Sequence, residues 1–106
     1  MSNPPTAKKD SALGIVPAAP WRIQAVSVLP NFGLAVRFRD GKTGIVDCSG
    51  LLHAQDLGIY APLADSSFFD QVRISLGALT WPNGADLDPA WLHEMLEEGK
   101  AWSVPF

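Results

Sequence analysis

The feature that most constrains the fold is a stretch in which apolar and polar residues alternate, stop at Asp40-Gly41 and then resume. The segment "GLAVRFRD" (33–40) has the period of two that marks a half-buried strand, and "KTGIVDC" (42–48) is rich in β-branched residues. Asp-Gly favours a two-residue type I′ turn, because both central positions need positive φ. We therefore predict a β-hairpin with this register: Phe38 opposite Thr43, Val36 opposite Ile45 and Leu34 opposite Asp47.

A strand is predicted before this hairpin and a second hairpin after it. The segment "WRIQAVSVLP" (21–30) is rich in β-branched residues and ends at Pro30, which cannot donate to a sheet ladder. The segment "VRISL" (72–76) alternates again, and Gly77-Ala78 suits a type II′ turn because Gly occupies its first central position. The expected pairs are Leu76 with Leu79, Ile74 with Trp81 and Ser75 with Thr80.

Two short helices are predicted, one in the middle of the chain and one near its end. The segment "DSSFFDQ" (65–71) begins with capping residues that precede two inward-facing phenylalanines. Asp88-Pro89 starts the second helix, because Asp is a favoured N-cap and Pro is favoured at the first helical position. Gly99 suits the position just beyond a helix C-terminus. The apolar stripe expected to face the sheet consists of Trp91, Leu92, Met95 and Leu96.

These elements predict an α+β fold: an antiparallel sheet of two hairpins plus an N-terminal strand, with a short middle helix and a C-terminal helix packed on the sheet. The length of 106 residues suits a single domain. We assign this domain to residues 20–98, after a flexible arm at 1–19 that is rich in Pro, Ala and Ser. The tail at 99–106 contains alternating apolar residues, which could fold back onto the core or add as a strand to a second chain.

Charge and cysteine content limit the possible functions. The formal charge of −3 argues against broad affinity for nucleic acid, which requires clustered Lys and Arg. Cys48 is the only cysteine, and an unpaired thiol fits a reducing compartment. No apolar run approaches the roughly 20 residues that span a bilayer, and no signal peptide is recognisable. We therefore expect a cytoplasmic protein without membrane contact.

The stretch "WPNGADLDPAWLHEML" (81–96) concentrates the residue types that could carry chemistry. One interpretation is a small-ligand or catalytic site built from Trp81, Asn83, Asp86 and His93. The other is that the stretch ends a strand and starts a helix, with its polar atoms bonded to the main chain. We favour the second, because the sequence contains no nucleophile turn, phosphate-binding loop or dinucleotide fingerprint. No catalytic residue, metal ligand or cofactor is assigned.

Two further groups of residues are candidate binding sites. Trp102 and Phe106 in the tail are aromatic, and aromatic residues are favoured anchors at protein interfaces. Arg22, Arg37 and Arg39 could form a basic strip for nucleic acid. No aromatic residue interleaves with them as single-strand binding requires, so an exposed sheet face is the favoured interpretation of the arginines.

Three segments of the chain are characteristic: "LAVRFRDGKTGIVDCSGLL", "YAPLADSSFFDQVRI" and "LTWPNGADLDPAWLHE". They resemble a family of small bacterial proteins catalogued as domain of unknown function 2442. The resemblance covers about residues 20–96 and implies an α+β fold with an antiparallel sheet. Some relatives carry a helix-turn-helix domain, and others are encoded beside a small toxin-like protein, which implies an antitoxin-like partner role. The resemblance brings no catalytic residues.

The leading hypothesis is a non-enzymatic protein-binding module. Its partner would be a small toxin-like protein or a second copy of the chain, and its candidate anchors include the aromatic residues of the tail. The alternatives are the small-ligand or catalytic site in residues 81–93 and nucleic-acid binding through the three arginines.

Overall fold

A computed structural model describes residues 19–106 of the chain, which form two sheets, two α-helices and two 3-10 helices. The α+β class is confirmed. The predicted arm at 1–19 lies outside the described residues, except for Ala19. No helix within the described range is long and apolar enough to cross a membrane.

The strands belong to two separate sheets. In chain order they are β1 (Ile23–Leu29), β2 (Gly33–Phe38), β3 (Thr43–Asp47), β4 (Arg73–Ser75), β5 (Ala78–Thr80), β6 (Asp86–Leu87) and β7 (Ala101–Ser103). The helices are the 3-10 helices Ser49–Leu52 and Gly58–Ala64, α1 (Ser66–Phe69) and α2 (Pro89–Met95). The first sheet has the order β1-β2-β3-β7 and the second has the order β4-β5-β6. The two hairpins therefore belong to different sheets, and among the strands of residues 19–106 only β7 pairs in parallel, with β3.

The first hairpin has a three-residue loop at 39–41 instead of the predicted two-residue turn. The amide of Phe38 donates to the carbonyl of Lys42 at 2.8 Å, and the amide of Gly41 donates back to the carbonyl of Phe38 at 2.9 Å. Gly41 takes the positive φ, +94°, that a type I turn followed by a bulge requires. The predicted register is therefore wrong by one residue. The observed partners are Leu34 with Val46, Ala35 with Ile45 and Val36 with Gly44.

This shift decides which residues of β3 enter the core. Gly44 and Val46 are buried, whereas the predicted inward residue Ile45 is only partly buried. A Cβ atom on Gly44 would lie 3.2 Å from the Cβ atom of Leu96, which follows α2. A glycine at this position therefore lets the end of α2 pack directly against the strand.

The second hairpin turns at Leu76-Gly77, one residue earlier than predicted. Both residues have positive φ, +52° and +82°, as a type I′ turn requires. The predicted pairing is wrong, and the observed partners are Ser75 with Ala78, Ile74 with Leu79 and Arg73 with Thr80. The amide of Ile23 donates to the carbonyl of Gly77 at 2.9 Å, a contact between the two sheets that the local sequence does not reveal. Leu76 remains 87% exposed in left-handed backbone.

Both α-helices begin at the predicted caps. The Asp65 carboxylate accepts a hydrogen bond from the amide of Ser67 at 2.9 Å, at the start of α1. The Asp88 carboxylate accepts one from the amide of Ala90 at 3.0 Å, at the start of α2. Each cap satisfies an amide that has no partner within its own helix.

The second helix is shorter than predicted and buries a different stripe. It ends at Met95, because Leu96 already has extended backbone angles and directs the chain toward β7. Leu92 and Leu96 are buried as predicted, but Met95 is 40% exposed and Trp91 is only half-buried. Trp91 therefore lies at the edge of the core, whereas Leu92 and Leu96 fill it.

We predict that Leu92→Ala lowers the free energy of unfolding by about 2–5 kcal/mol, because Leu92 is fully buried and its truncation leaves a cavity. Met95→Ala in the same helix should change it by about 1 kcal/mol or less, because Met95 is already 40% exposed and its truncation leaves no enclosed cavity. Urea unfolding followed by circular dichroism measures both. Equal losses would show that the buried face of α2 is assigned wrongly.

We predict that Leu76→Asn raises the free energy of unfolding by about 1 kcal/mol. Asn tolerates left-handed backbone better than Leu, and Asn-Gly is the favoured pair for a type I′ turn. Leu76→Ala is the control, because it removes the exposed side chain without relieving the backbone. Thermal unfolding measures both variants. An equal gain with alanine would contradict the backbone explanation.

Candidate functional site

Trp81, one of the predicted binding residues, lies in the core with 0% of its surface exposed. Its indole N–H donates to the carbonyl of Phe69 at 2.9 Å, and the two rings pack with centroids 5.8 Å apart. The only polar atom of the side chain is therefore used inside the protein. The structure gives Trp81 a packing role between β5 and α1.

Asn83 fastens the turn that follows Trp81. Its side-chain oxygen accepts from the amide of Ala85 at 3.1 Å, and its side-chain nitrogen donates to the carbonyl of Ile59 at 2.8 Å. The amide group thus ties the turn to the 3-10 helix Gly58–Ala64. This agrees with the interpretation in which polar atoms of the stretch 81–96 bond to the main chain.

The structure does not bring Asp86 and His93 together. The Nε2 atom of His93 lies 2.7 Å from Oδ2 of Asp40, at the tip of the first hairpin. The hydrogen bond from the Lys42 amide, and to a smaller extent the one from the His93 side chain, lowers the pKa of the Asp40 carboxyl below its usual value. Asp86 instead accepts a hydrogen bond from the Tyr60 hydroxyl through its backbone carbonyl at 2.8 Å, and its side chain is exposed.

Cys48 is buried, as expected for a structural thiol at a strand end. Burial, with a smaller contribution from the nearby Asp47 carboxylate, raises the pKa of the thiol to about 12. The thiolate that acts as a nucleophile is therefore scarce at neutral pH. Within residues 19–106, no three His, Cys, Asp or Glu side chains gather as a metal ion would require.

Two of the three candidate arginines are neighbours along the backbone, because the amide of Arg39 donates to the carbonyl of Arg22 at 2.7 Å. A Cβ atom on Gly77 would lie 2.8 Å from the Cβ and Nε atoms of Arg22, so this side chain packs over the turn of the second hairpin. Arg37 is exposed on the first sheet and borders an open depression of about 380 Å³. Arg39 is exposed in the hairpin loop.

The tail folds back onto its own chain and closes a concave site, which we call the aromatic groove. Its volume is about 370 Å³. Three half-buried aromatic side chains define it: Tyr60, Trp91 and Phe106. The other lining residues are Gln55, Asp56, Leu57, Leu87, Val104 and Pro105. The volume lies at the lower end of the range for ligand sites, and three distant chain segments contribute to it.

The aromatic side chains of the groove are held by neighbours. Trp91 packs edge-to-face on Trp102, with ring centroids 5.0 Å apart, and Tyr60 packs on Phe106 at 5.6 Å. The tail itself is fastened at Asp47, whose carbonyl accepts from the amide of Val104 at 3.0 Å. Both predicted tail residues therefore take part, Phe106 in the lining and Trp102 behind it.

Negative charge adjoins the groove. Asp56 lines it and is exposed, and Asp86 is exposed beside Tyr60. Burial, and then the charge of Asp86, raises the pKa of the Tyr60 hydroxyl above its usual value. The described lining contains no Lys, Arg or His side chain.

Sequence reasoning did not identify Tyr60, Asp56 or Leu87 as members of a site. Tyr60 lies in the 3-10 helix Gly58–Ala64, Asp56 lies in the irregular chain before it, and Leu87 lies in a two-residue strand. None of these segments has a periodic sequence pattern. Trp91 is predicted in the core because its spacing places it on the apolar stripe of α2, but the structure leaves it half-buried. The sequence feature that could have indicated the groove is the number of aromatic residues near the end of the chain.

A family model described as "Protein of unknown function (DUF2442)" matches residues 23–95, more than half of the chain. The chain belongs to this family. The DUF2442 match runs from β1 to the end of α2, so it contains Tyr60 and Trp91 but not the tail that completes the groove. No curated protein and no solved structure matches the chain.

We predict that acid loosens the tail through Asp47. Hydrogen bonds from the amide and hydroxyl of Ser49, and then from the hydroxyl of Ser103, hold the pKa of Asp47 below the ordinary value of 3.8. The stabilisation is fully present above that ordinary pKa and is lost as the pH falls through the lower pKa of the folded state. The indole NMR signal of Trp102 reports this loss.

Asp47→Asn is the control for this pH dependence. Its single amide oxygen still accepts from the Ser49 amide, its NH2 group can donate to the Ser103 hydroxyl oxygen, and the side chain does not titrate in acid. The variant should show a flatter acid response of the Trp102 signal than the unmodified protein. Identical pH profiles would show that Asp47 does not govern the attachment of the tail.

Proposed function

We propose that this chain is a non-enzymatic protein-binding module whose partner docks in the aromatic groove. The observation that carries the proposal is the convergence of Tyr60, Trp91 and Phe106 on one half-open site. Tryptophan and tyrosine are enriched among the residues that dominate binding energy at interfaces. Side chains already held by their neighbours lose little freedom on binding, which favours affinity.

The partner that we propose is a small toxin-like protein encoded beside this chain, by analogy with relatives in the family. The proposed setting is the bacterial cytoplasm, where a buried, unpaired thiol such as Cys48 remains reduced. The chain would then act by covering a surface of its partner, as an antitoxin does. A second copy of the chain is the competing partner, and size measurements distinguish the two.

We predict that Trp91→Ala weakens the affinity for the neighbour-encoded protein by about tenfold or more, because truncating a central aromatic anchor costs about 2 kcal/mol or more and about 1.4 kcal/mol is already tenfold. Trp21→Ala is the matched control: Trp21 is 38% exposed but does not line the groove, so its Kd should change less than about twofold. Isothermal titration calorimetry with the purified proteins measures both values.

A second pair of variants separates binding from folding, because Trp91 also packs on Trp102. Gln55→Lys changes an exposed residue of the groove, and Gln24→Lys makes the same change on β1. Only the first should weaken the complex. The proposal fails if both leave the affinity unchanged, or if the neighbouring protein does not co-elute. If the chain instead self-associates through the groove, the partner is a second copy of the chain and not the toxin-like protein.

A further inference from the structure

The aromatic groove combines ring surfaces with carboxylates and lacks a compensating positive group in its described lining. Asp56 lies in the wall and Asp86 lies beside Tyr60. Two carboxylates next to half-buried rings create a negative potential, from which an apolar ligand gains nothing. The charge pattern therefore favours a positively charged group over a neutral one.

We propose that the groove binds an arginine side chain presented by the partner, with the guanidinium against Trp91 and its charge facing Asp56 and Asp86. This inference rests on the proposed function and adds the chemical class of the anchor. Aromatic faces attract cations, and tryptophan does so most strongly. A guanidinium is planar and weakly hydrated, so it stacks on a ring at a lower desolvation cost than an ammonium.

The site is prepared for such a group before binding. Trp102 fixes the ring of Trp91, and the hydrogen bond from Tyr60 to the carbonyl of Asp86 fixes the tyrosine. Leu87 and Val104, both buried, give the groove an apolar lining beside the rings. The attraction between a cation and a ring is stronger where water is excluded.

A pair of capped tripeptides tests the inference. Acetyl-Gly-Arg-Gly-amide carries the cation, and acetyl-Gly-citrulline-Gly-amide has nearly the same shape without the charge. Titration of the intact protein with each peptide, followed by the indole NMR signal of Trp91, gives both affinities. The arginine peptide should shift this signal saturably at millimolar concentration and bind about tenfold more tightly than the citrulline peptide.

Matched charge variants locate the site. Asp86→Asn and Asp70→Asn each remove one negative charge from an exposed side chain, but only Asp86 lies beside the groove. The first should weaken arginine-peptide binding about threefold to tenfold, and the second should change it less than twofold. Equal effects would show that the peptide responds to net charge alone and would overturn the assignment.

Equal affinities for the arginine and citrulline peptides, or no shift of the Trp91 signal, also overturn the inference. These outcomes are separable from failure of the proposed function. If the partner complex depends on the groove but the groove shows no preference for arginine, the proposed protein-binding function is retained and only the arginine site is rejected. If the groove prefers arginine but no protein partner depends on the groove, the cation site is retained and the proposed protein-binding function is rejected.

Discussion

The parallel pairing of β7 with β3 is the interaction on which the candidate site depends. It places Trp102 opposite Val46 and Ser103 opposite Asp47, and it delivers the following residues to the 3-10 helix Gly58–Ala64. The backbone hydrogen bonds between β3 and β7 position the tail, and the aromatic contacts of Trp102 and Phe106 add to this attachment. Without the pairing, Tyr60 and Trp91 would remain on the surface as separate aromatic residues. The ladder at the sheet edge therefore converts two exposed rings into one concave site.

Local signals were sufficient to predict the first strand, the two hairpins and both α-helices, because each was encoded within a few residues, but they did not predict β6 or the 3-10 helix Gly58–Ala64. Alternation marked the strands, and Asp65 and Asp88 marked the helix starts through hydrogen bonds that span only two residues. The registers were not predictable in the same way. The Asp-Gly pair is compatible with both a two-residue and a three-residue loop, and packing of Leu96 on Gly44 favours the second. Contacts between residues far apart in sequence thus determined the loop length and register, which the turn residues alone do not specify.

The candidate site was predicted less completely than the fold, for a related reason. Trp102 and Phe106 were predicted from their residue type and from the alternation of apolar residues in the tail, since aromatic residues are favoured anchors at interfaces. Tyr60 gave no such signal within an irregular segment. The stretch 81–96 was a candidate site because it is rich in polar and aromatic residues. In the structure, Trp81 and Asn83 donate hydrogen bonds to backbone carbonyls of other segments and so stabilise the fold. Residue type indicates which atoms can react or bind, whereas accessibility is a property of the assembled chain.

The position of β7 also has a consequence for the newly made chain. During synthesis, β1, β2 and β3 emerge from the ribosome well before the segment that completes their sheet. Until residues 101–103 arrive, the outer edge of β3 presents amide and carbonyl groups that could pair with a strand from another molecule. A strand of only three residues thus acts as a cover for a vulnerable edge. Premature termination before this strand would produce a chain with most of its core and a surface prone to aggregation.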